Sequence, residues 1–316
     1  MKKILRILLY VLIGIIVLLG GLALFIQFRG IPNYEAKDPG IKIQSTPERI
    51  ARGKNLVQML CADCHMNQKT GHLTGADMDP MHKLPFGLMY SQNITQDKTY
   101  GIANWTDGQI IYLLRTGIKK DGGYAPPWMV KLPHMSDEDM ASVISFLRSD
   151  DEMVRADDTP DKPCEPSFFA KFLCFVAFKP FPYPDKAIAQ PDTSNKLEWG
   201  KYLVYNLACY SCHSADFAKN DEYDPPKSLG YMGGGNRIDS LYSANITPDK
   251  ETGIGNWSEE DFIKAVRFGQ RPDGSPVRPP MKPFAQLSLS EAQALYAYMK
   301  TVPAIKNKVD RNAIHD

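Results

Sequence analysis

Two short frames decide how this chain reads: Cys61-Ala-Asp-Cys64-His65 and Cys209-Tyr-Ser-Cys212-His213. Each sets two thiols three residues apart and an imidazole directly after the second. Working outward from them, the sequence repeats. Asn93-Ile-Thr-Gln-Asp-Lys-Thr-Tyr-Gly-Ile-Ala-Asn-Trp105 returns as Asn245-Ile-Thr-Pro-Asp-Lys-Glu-Thr-Gly-Ile-Gly-Asn-Trp257, an offset of 152 residues. The same offset relates Gly117 to Gly269, Asp121 to Asp273, Pro127 to Pro279, Met129 to Met281 and Ser136 to Ser288. The cysteine frames are offset by 148, so the second copy carries four extra residues, expected in the Pro- and Gly-rich stretch 225–235. A period this long, present twice, signals a duplicated domain and not a solenoid.

Each copy has the same helical layout. Thr46 is placed as an N-cap with Pro47 at the first helical position, followed by an apolar stripe of Ile50, Leu56, Val57 and Leu60. Leu197, Gly200, Leu203, Val204 and Leu207 repeat that stripe before the second frame. A middle helix opens at Thr106-x-x-Gln109 or Ser258-x-x-Asp261, and a last helix at Ser136-x-x-Asp139 or Ser288-x-x-Glu291, all close to the capping-box pattern. The last helices expect core faces of Met140, Val143, Ile144 and Leu147, and of Ala292, Leu295, Tyr296 and Met299. No sheet is expected. The long connecting loops make sense if they wrap a large bound group.

The thiol spacing names that group. C-x-x-C-H is an attachment pattern for c-type haem. Two thiols one helical turn apart can form thioethers to the two vinyl groups of a porphyrin, and the adjacent histidine then points at the iron. A zinc site would need both frames to share one metal, and a thioredoxin-like disulfide would need strand signals that are missing. The second axial ligand is expected from Met129, in Pro126-Pro127-Trp128-Met129, and from Met281, in Pro279-Pro280-Met281. Core packing is the competing role for both. Met135 and His134 fail the register test, because their counterparts are Leu287 and Gln286. His72, His82 and His315 have no counterpart and read as surface or loop residues. Trp105 and Trp257 read as core anchors or as packing for the porphyrin. Cys164 and Cys174 are expected to form a disulfide in an oxidising compartment, with thiolate ligation of a haem as the alternative. The aromatic segment 168–183 around them reads as packing, or as a docking surface.

The N-terminus places the chain. Lys2, Lys3 and Arg6 precede an unbroken apolar run from Ile7 to Ile26, long enough at about 30 Å to cross a bilayer's hydrocarbon core. Positive charge before the run keeps that end in the cytoplasm and sends the rest across. A cleaved signal peptide ending near Gly21-Leu22-Ala23 is the alternative. Apolar content of 43% against 23% charged is that of a globular protein, and the net charge of +1, near zero in both halves, gives no basic face for nucleic acid.

With both frames, the Asn-Ile-Thr-x-Asp…Gly-Ile-x-x-Trp signature and the two Pro-x-Met regions read, the chain resembles the cytochrome c family. More closely, it is similar to the multihaem cytochrome subunits of membrane-bound alcohol and gluconate dehydrogenases. The likeness covers roughly residues 45–150 and 192–303. It implies covalent haem on Cys61 and Cys64 and on Cys209 and Cys212, His65 and His213 as proximal iron ligands, and Met129 and Met281 as distal ones. Those subunits carry three haem domains, and this chain has two.

The expectation is therefore an all-α chain. Residues 1–29 form the anchor or signal peptide, 45–155 a first cytochrome c-like domain, 156–191 a linker and 192–310 a second domain. Two covalent haem c groups would relay electrons at the periplasmic face of the cytoplasmic membrane. The partner would be a dehydrogenase, a quinol-oxidising complex or a terminal oxidase. The alternative is a dihaem enzyme, a peroxidase or a thiosulfate-oxidising cytochrome, which would need an open or displaceable iron ligand.

Overall fold

In a computed structural model, residues 2–81, 84–238 and 241–310 are described. His82 and His315 lie outside them. The chain is mostly helical. Its helices are α1 (Lys2–Arg29), α2 (Pro47–Leu60), α3 (Ala62–His65), α4 (Asp107–Thr116), α5 (Asp137–Leu147), α6 (Phe168–Val176), α7 (Lys196–Asn206), α8 (Cys209–His213), α9 (Glu259–Phe268) and α10 (Leu289–Met299). Strands are confined to two antiparallel pairs of two residues each, a small departure from the expected absence of sheet. β1 (Gly87–Leu88) pairs with β2 (Glu165–Pro166), Gly87 opposite Pro166, and β3 (Arg237–Ile238) pairs with β4 (Leu241–Tyr242), Arg237 opposite Tyr242.

The helices begin where the side-chain chemistry says they should. Thr46, Thr106, Ser136, Ser258 and Ser288 all cap, each hydroxyl accepting from the amide three residues on, and Thr106, Ser258 and Ser288 complete capping boxes with Gln109, Asp261 and Glu291. They end on a repeated device. Gly117 and Gly269 close α4 and α9 in the left-handed region, at φ of 83° and 73°, which is why glycine recurs at that register.

The chain forms two compact units, Met1–Lys42 with Cys64–Lys131 and Glu152–Tyr183, and Ile43–Asp63 with Leu132–Asp151 and Pro184–Asp316. The first unit holds α4, its flanking loops, α1 and α6, around buried Leu73, Met89, Ile110, Ile111, Leu114 and Val154. The second holds two crossed helix pairs, α2 on α5 and α7 on α10. Both pairs cross at a glycine. A methyl group built on Gly53 would lie 1.9 Å from the Ser142 carbonyl oxygen, and one built on Gly200 would lie 2.0 Å from that of Ala294. Backbone meets backbone there, so no side chain fits.

Most of the expected face residues are buried, while Ile50, Leu60 and Leu207 are half-buried. Met140, Val143, Ile144 and Leu147 are all within the core, as are Ala292, Leu295 and Met299, while Tyr296 is half-buried and donates to the Trp257 carbonyl at 3.0 Å. Leu197 is 49% exposed, and Trp199 takes the core position instead. The reason is an ion cluster under that indole. Arg52 lies 5.6 Å over the Trp199 ring, donates from Nε and Nη2 along one guanidinium edge to both Asp139 oxygens at 2.9 and 3.0 Å, and donates from Nη1 to Glu291 at 2.5 Å. Tyr202 stacks on Trp199 and donates to Asp139 at 2.8 Å. Lys282 pairs with Asp63 in the same unit.

Candidate functional site

The two thiol–imidazole frames are built alike. Cys209 to His213 form the single short helix α8, entered through Ala208 in the left-handed region at φ 52°. In the first frame Cys61 caps α2, its amide donating to Val57 O, and α3 carries Cys64 and His65. In neither copy does the imidazole act as a general surface group. His65 Nδ1 lies 2.7 Å from the Gln92 carbonyl, and His213 Nδ1 lies 2.8 Å from that of Ala244. A carbonyl only accepts, so each ring carries its proton on Nδ1 and leaves Nε2 bare. Burial pushes both imidazoles below the ordinary histidine range, against that single hydrogen bond, so both are neutral at pH 7. Nε2 has no hydrogen-bond partner among the described residues. Burial also holds the Cys209 thiol up at about 12, with Cys212 beside it adding to the rise.

The repeated signature explains what holds those carbonyls. Gln92 and Ala244 immediately precede the repeated asparagines. The Asn93 side chain accepts from the Thr95 amide at 2.9 Å and hydroxyl at 2.7 Å, and donates to the carbonyls of Asp157 and Thr159. Asn245 does the same for Thr247 and donates to the Ile305 carbonyl at 2.7 Å. Each asparagine thus pins its loop to the strand of chain that follows the last helix of its copy. Asp97 and Asp249 cap the next turn, and a side chain at Gly101 or Gly253 would sit 2.2 Å from the Thr95 or Thr247 carbonyl. The signature is loop architecture that aims the imidazole.

A second backbone brace was not legible. Gly75 donates to the His65 carbonyl and Gly234 to that of His213, both at 2.8 Å and both at positive φ. Ser91 holds the residue after Gly75 and Ser243 the second residue after Gly234, each hydroxyl accepting the amide of Ala76 or Asn236. These pairings put the extra length of the second copy between His213 and Gly234, a span that includes most of the expected stretch 225–235. The copies are offset by 148 at the histidines, 159 at the glycines and 152 at the serines. The second copy is longer before Gly234 and shorter after it, and the four extra residues are the net of both changes.

Met129 and Met281 occupy the same local turn. Each amide donates at 3.0 Å to the carbonyl three residues back, Pro126 or Arg278, after a strand segment whose Ala125 or Val277 amide returns to Gly117 or Gly269. Both side chains are half-buried, whereas Met135 and its counterpart Leu287 are wholly buried, so the latter pair is core. His134 Nε2 donates to the Glu222 carbonyl at 2.7 Å, and His72 is engaged by Asp157 at 2.6 Å and Glu152 at 3.2 Å. Trp105 and Trp257 are half-buried at the end of each signature. The expected disulfide is absent. Cys174 is fully buried on α6, while exposed Cys164 exchanges contacts with the Tyr90 amide and carbonyl at 3.3 and 3.2 Å. Among the described residues, no group of three or more His, Cys, Asp or Glu is arranged to hold a metal ion.

The donor set suits haem c: a neutral imidazole with a bare Nε2, two thiols one turn apart, and a thioether carried on a matched loop. A duplicated helical fold organised around such a frame defines a c-type cytochrome. Comparison with known proteins agrees. The cytochrome c family model matches residues 50–150 and 197–303, and the chain belongs to that family. It is 29% identical over 275 residues to the fructose dehydrogenase cytochrome subunit of Gluconobacter japonicus, covering 81% of this chain and 53% of that one. It is 30% identical over 237 residues to the cytochrome c subunit of the quinone-dependent alcohol dehydrogenase of Gluconobacter oxydans, covering 71% and 48%. A dihaem c-type cytochrome of Cereibacter sphaeroides is 27% identical over 256 residues, covering 78% and 83%. The chain spans about half the length of the dehydrogenase subunits it matches. Two of these relatives are named as cytochrome subunits of dehydrogenases, and the third as a dihaem c-type cytochrome.

Proposed function

We propose that the chain is a membrane-anchored dihaem cytochrome c that relays electrons at the periplasmic face of the cytoplasmic membrane. One haem c would be held in residues 45–155 by Cys61, Cys64, His65 and Met129, and the other in residues 192–310 by Cys209, Cys212, His213 and Met281, with 156–191 as the linker. The observation that carries this reading is the pair of imidazoles, each fixed by a carbonyl at Nδ1 and bare at Nε2, directly after a thiol pair. When bound, haem supplies a one-electron couple between ferrous and ferric iron.

The chain's own residues do the rest. The carbonyls of Gln92 and Ala244 fix the tautomer and ring plane of the proximal histidines and raise their basicity. The asparagine-pinned loops keep those carbonyls in place through a redox cycle, which keeps reorganisation small. Met129 and Met281 would each offer a thioether sulfur to the iron, which would raise the potential and leave no position for a substrate. α1, 28 residues long with a mean hydropathy of 2.9 over its most apolar window, holds the haem domains at the membrane. The sequence relatives make a membrane-bound sugar or alcohol dehydrogenase the favoured electron donor.

The test is an optical spectrum of the oxidised holoprotein, quantified per haem. Two haems per chain and two equivalents of the methionine-to-ferric-iron charge-transfer band are expected. One equivalent or none, with high-spin features, would overturn the carrier reading in favour of a haem open to substrate.

A further inference from the structure

The linker contains a helix the electron-transfer reading does not use. α6 is nine residues, Phe-Phe-Ala-Lys-Phe-Leu-Cys-Phe-Val, with Lys171 its one charged side chain. Its inner row is Ala170 and Cys174, four residues apart and both wholly buried. On another face, Phe168, Phe172 and Val176 form a row at the same spacing and are 44%, 37% and 58% exposed, with Phe169 beside them at 46%. Contiguous exposed aromatic surface of this kind marks an interaction site.

The neighbour of α6 says what covers that face. α6 packs against α1, and it does so at the C-terminal end of α1. Phe175 meets Phe25 edge-on at 5.9 Å, Lys171 Nζ donates to the Gln27 carbonyl at 3.3 Å, and Ile26 is the buried residue of α1. Residues 26–29 are where the apolar run ends, at Gln27 and Arg29, so they mark the level at which a spanning helix leaves the hydrocarbon. A helix fastened to that level sits at the headgroup boundary. Its basic residues fit the same depth. Lys179 Nζ closes the C-terminus of α6 by donating to the carbonyls of Phe175 and Cys174 at 2.5 and 3.4 Å, and Arg29, the last residue of α1, is exposed.

We propose that α6 is an interfacial helix, lying on the bilayer with Phe168, Phe172 and Val176 among the upper acyl chains. It gives the ectodomain a second lipid contact next to α1 and limits its swing about the anchor. This inference rests on the reading of α1 as an uncleaved anchor.

The full-length holoprotein, reconstituted in phosphatidylcholine–phosphatidylglycerol vesicles doped with a diazirine-bearing phosphatidylcholine, is irradiated and its peptides are mapped by mass spectrometry. Lipid adducts are expected in residues 7–26 and in 168–176. In the Phe172→Glu variant the 168–176 adducts should fall about fivefold or more, with 7–26 unchanged, because a charge is driven out of the acyl region. Adducts in 7–26 alone overturn the proposal while leaving the anchor intact, and assign the face of α6 to a protein cover. Adducts in neither segment overturn the anchor reading and this one with it. Unchanged 168–176 labelling in Phe172→Glu also overturns it.

Discussion

Substituting Gly200 by alanine tests the packing logic of the α7–α10 pair. The added methyl group would lie 2.0 Å from the Ala294 carbonyl oxygen and 2.8 Å from the Tyr298 Cβ, about 1.4 Å short of the 3.4 Å at which ordinary contact begins. Neither neighbour can swing away, because the first is backbone inside α10. The helices must separate, and Leu203, Val204, Leu295 and Met299 then lose contact along the seam. Overpacking costs about 1–3 kcal/mol and occasionally more, and a clash with backbone belongs at the upper end. Replacing glycine by alanine inside a helix returns about 1 kcal/mol. The expected net loss is about 2 kcal/mol, which for a domain of this size lowers the melting temperature by roughly 8–16 °C. Thermal unfolding of the holoprotein, followed together by circular dichroism and haem absorbance, measures it. Because α7 runs into α8, the haem signal should change with the helical one. Gly53→Ala, with its methyl group 1.9 Å from the Ser142 carbonyl, should lower the stability of the α2–α5 pair by a similar amount. A Gly200→Ala protein that melts at or above the wild-type temperature would refute the close-crossing argument.

Three further outcomes are expected. Met129→Ala and Met281→Ala should each remove one equivalent of the methionine-to-ferric-iron band and lower the potential of one haem, a sizeable step within the roughly 0.8 V that axial ligands command, measured by spectroelectrochemistry; loss of neither band would return both methionines to core packing. Arg52→Ala leaves Asp139 and Glu291, with side chains 3% and 8% exposed, buried without their cation, and should cost about 3–5 kcal/mol by chemical denaturation; a loss under about 1 kcal/mol would show the cluster is hydrated. The hydrogen bond to Asp157 raises the pKa of His72 above 6.5, and Thr159 and then His72 lower that of Asp157 below 3.8. The His72 contribution is therefore complete below pH 6.5 and lost as pH rises through its folded value, while the Asp157 contribution is present above pH 3.8 and lost as pH falls through its own. Wild type should lose up to about 1 kcal/mol more than His72→Gln between pH 5.5 and pH 8, and parallel denaturation midpoints would contradict the pairing.

The repeat, the thiol–imidazole frames and the helix starts were all written locally, in residues whose chemistry acts within a turn or two. A serine that caps the amide three residues on, or a glycine that ends a helix in the left-handed region, needs no distant partner, so Thr106, Ser288, Gly117 and Gly269 were legible. So were the matched methionines, because a duplicated chain supplies its own second copy for comparison. What the sequence could not carry was any role played by backbone or by partners far along the chain. The carbonyls of Gln92 and Ala244, which fix the histidine tautomer, have no side-chain signature. Cys164 and Cys174 looked like a pair on composition alone, but burial on α6 and a backbone contact at Tyr90 hold them in separate environments. Trp199 replaced Leu197 in the core because Arg52, Asp139 and Glu291, remote in sequence, meet beneath its ring. Chemistry carried by a residue and its near neighbours is fixed by sequence. Chemistry that depends on which carbonyl, carboxylate or helix end arrives opposite it is decided only when the chain has packed.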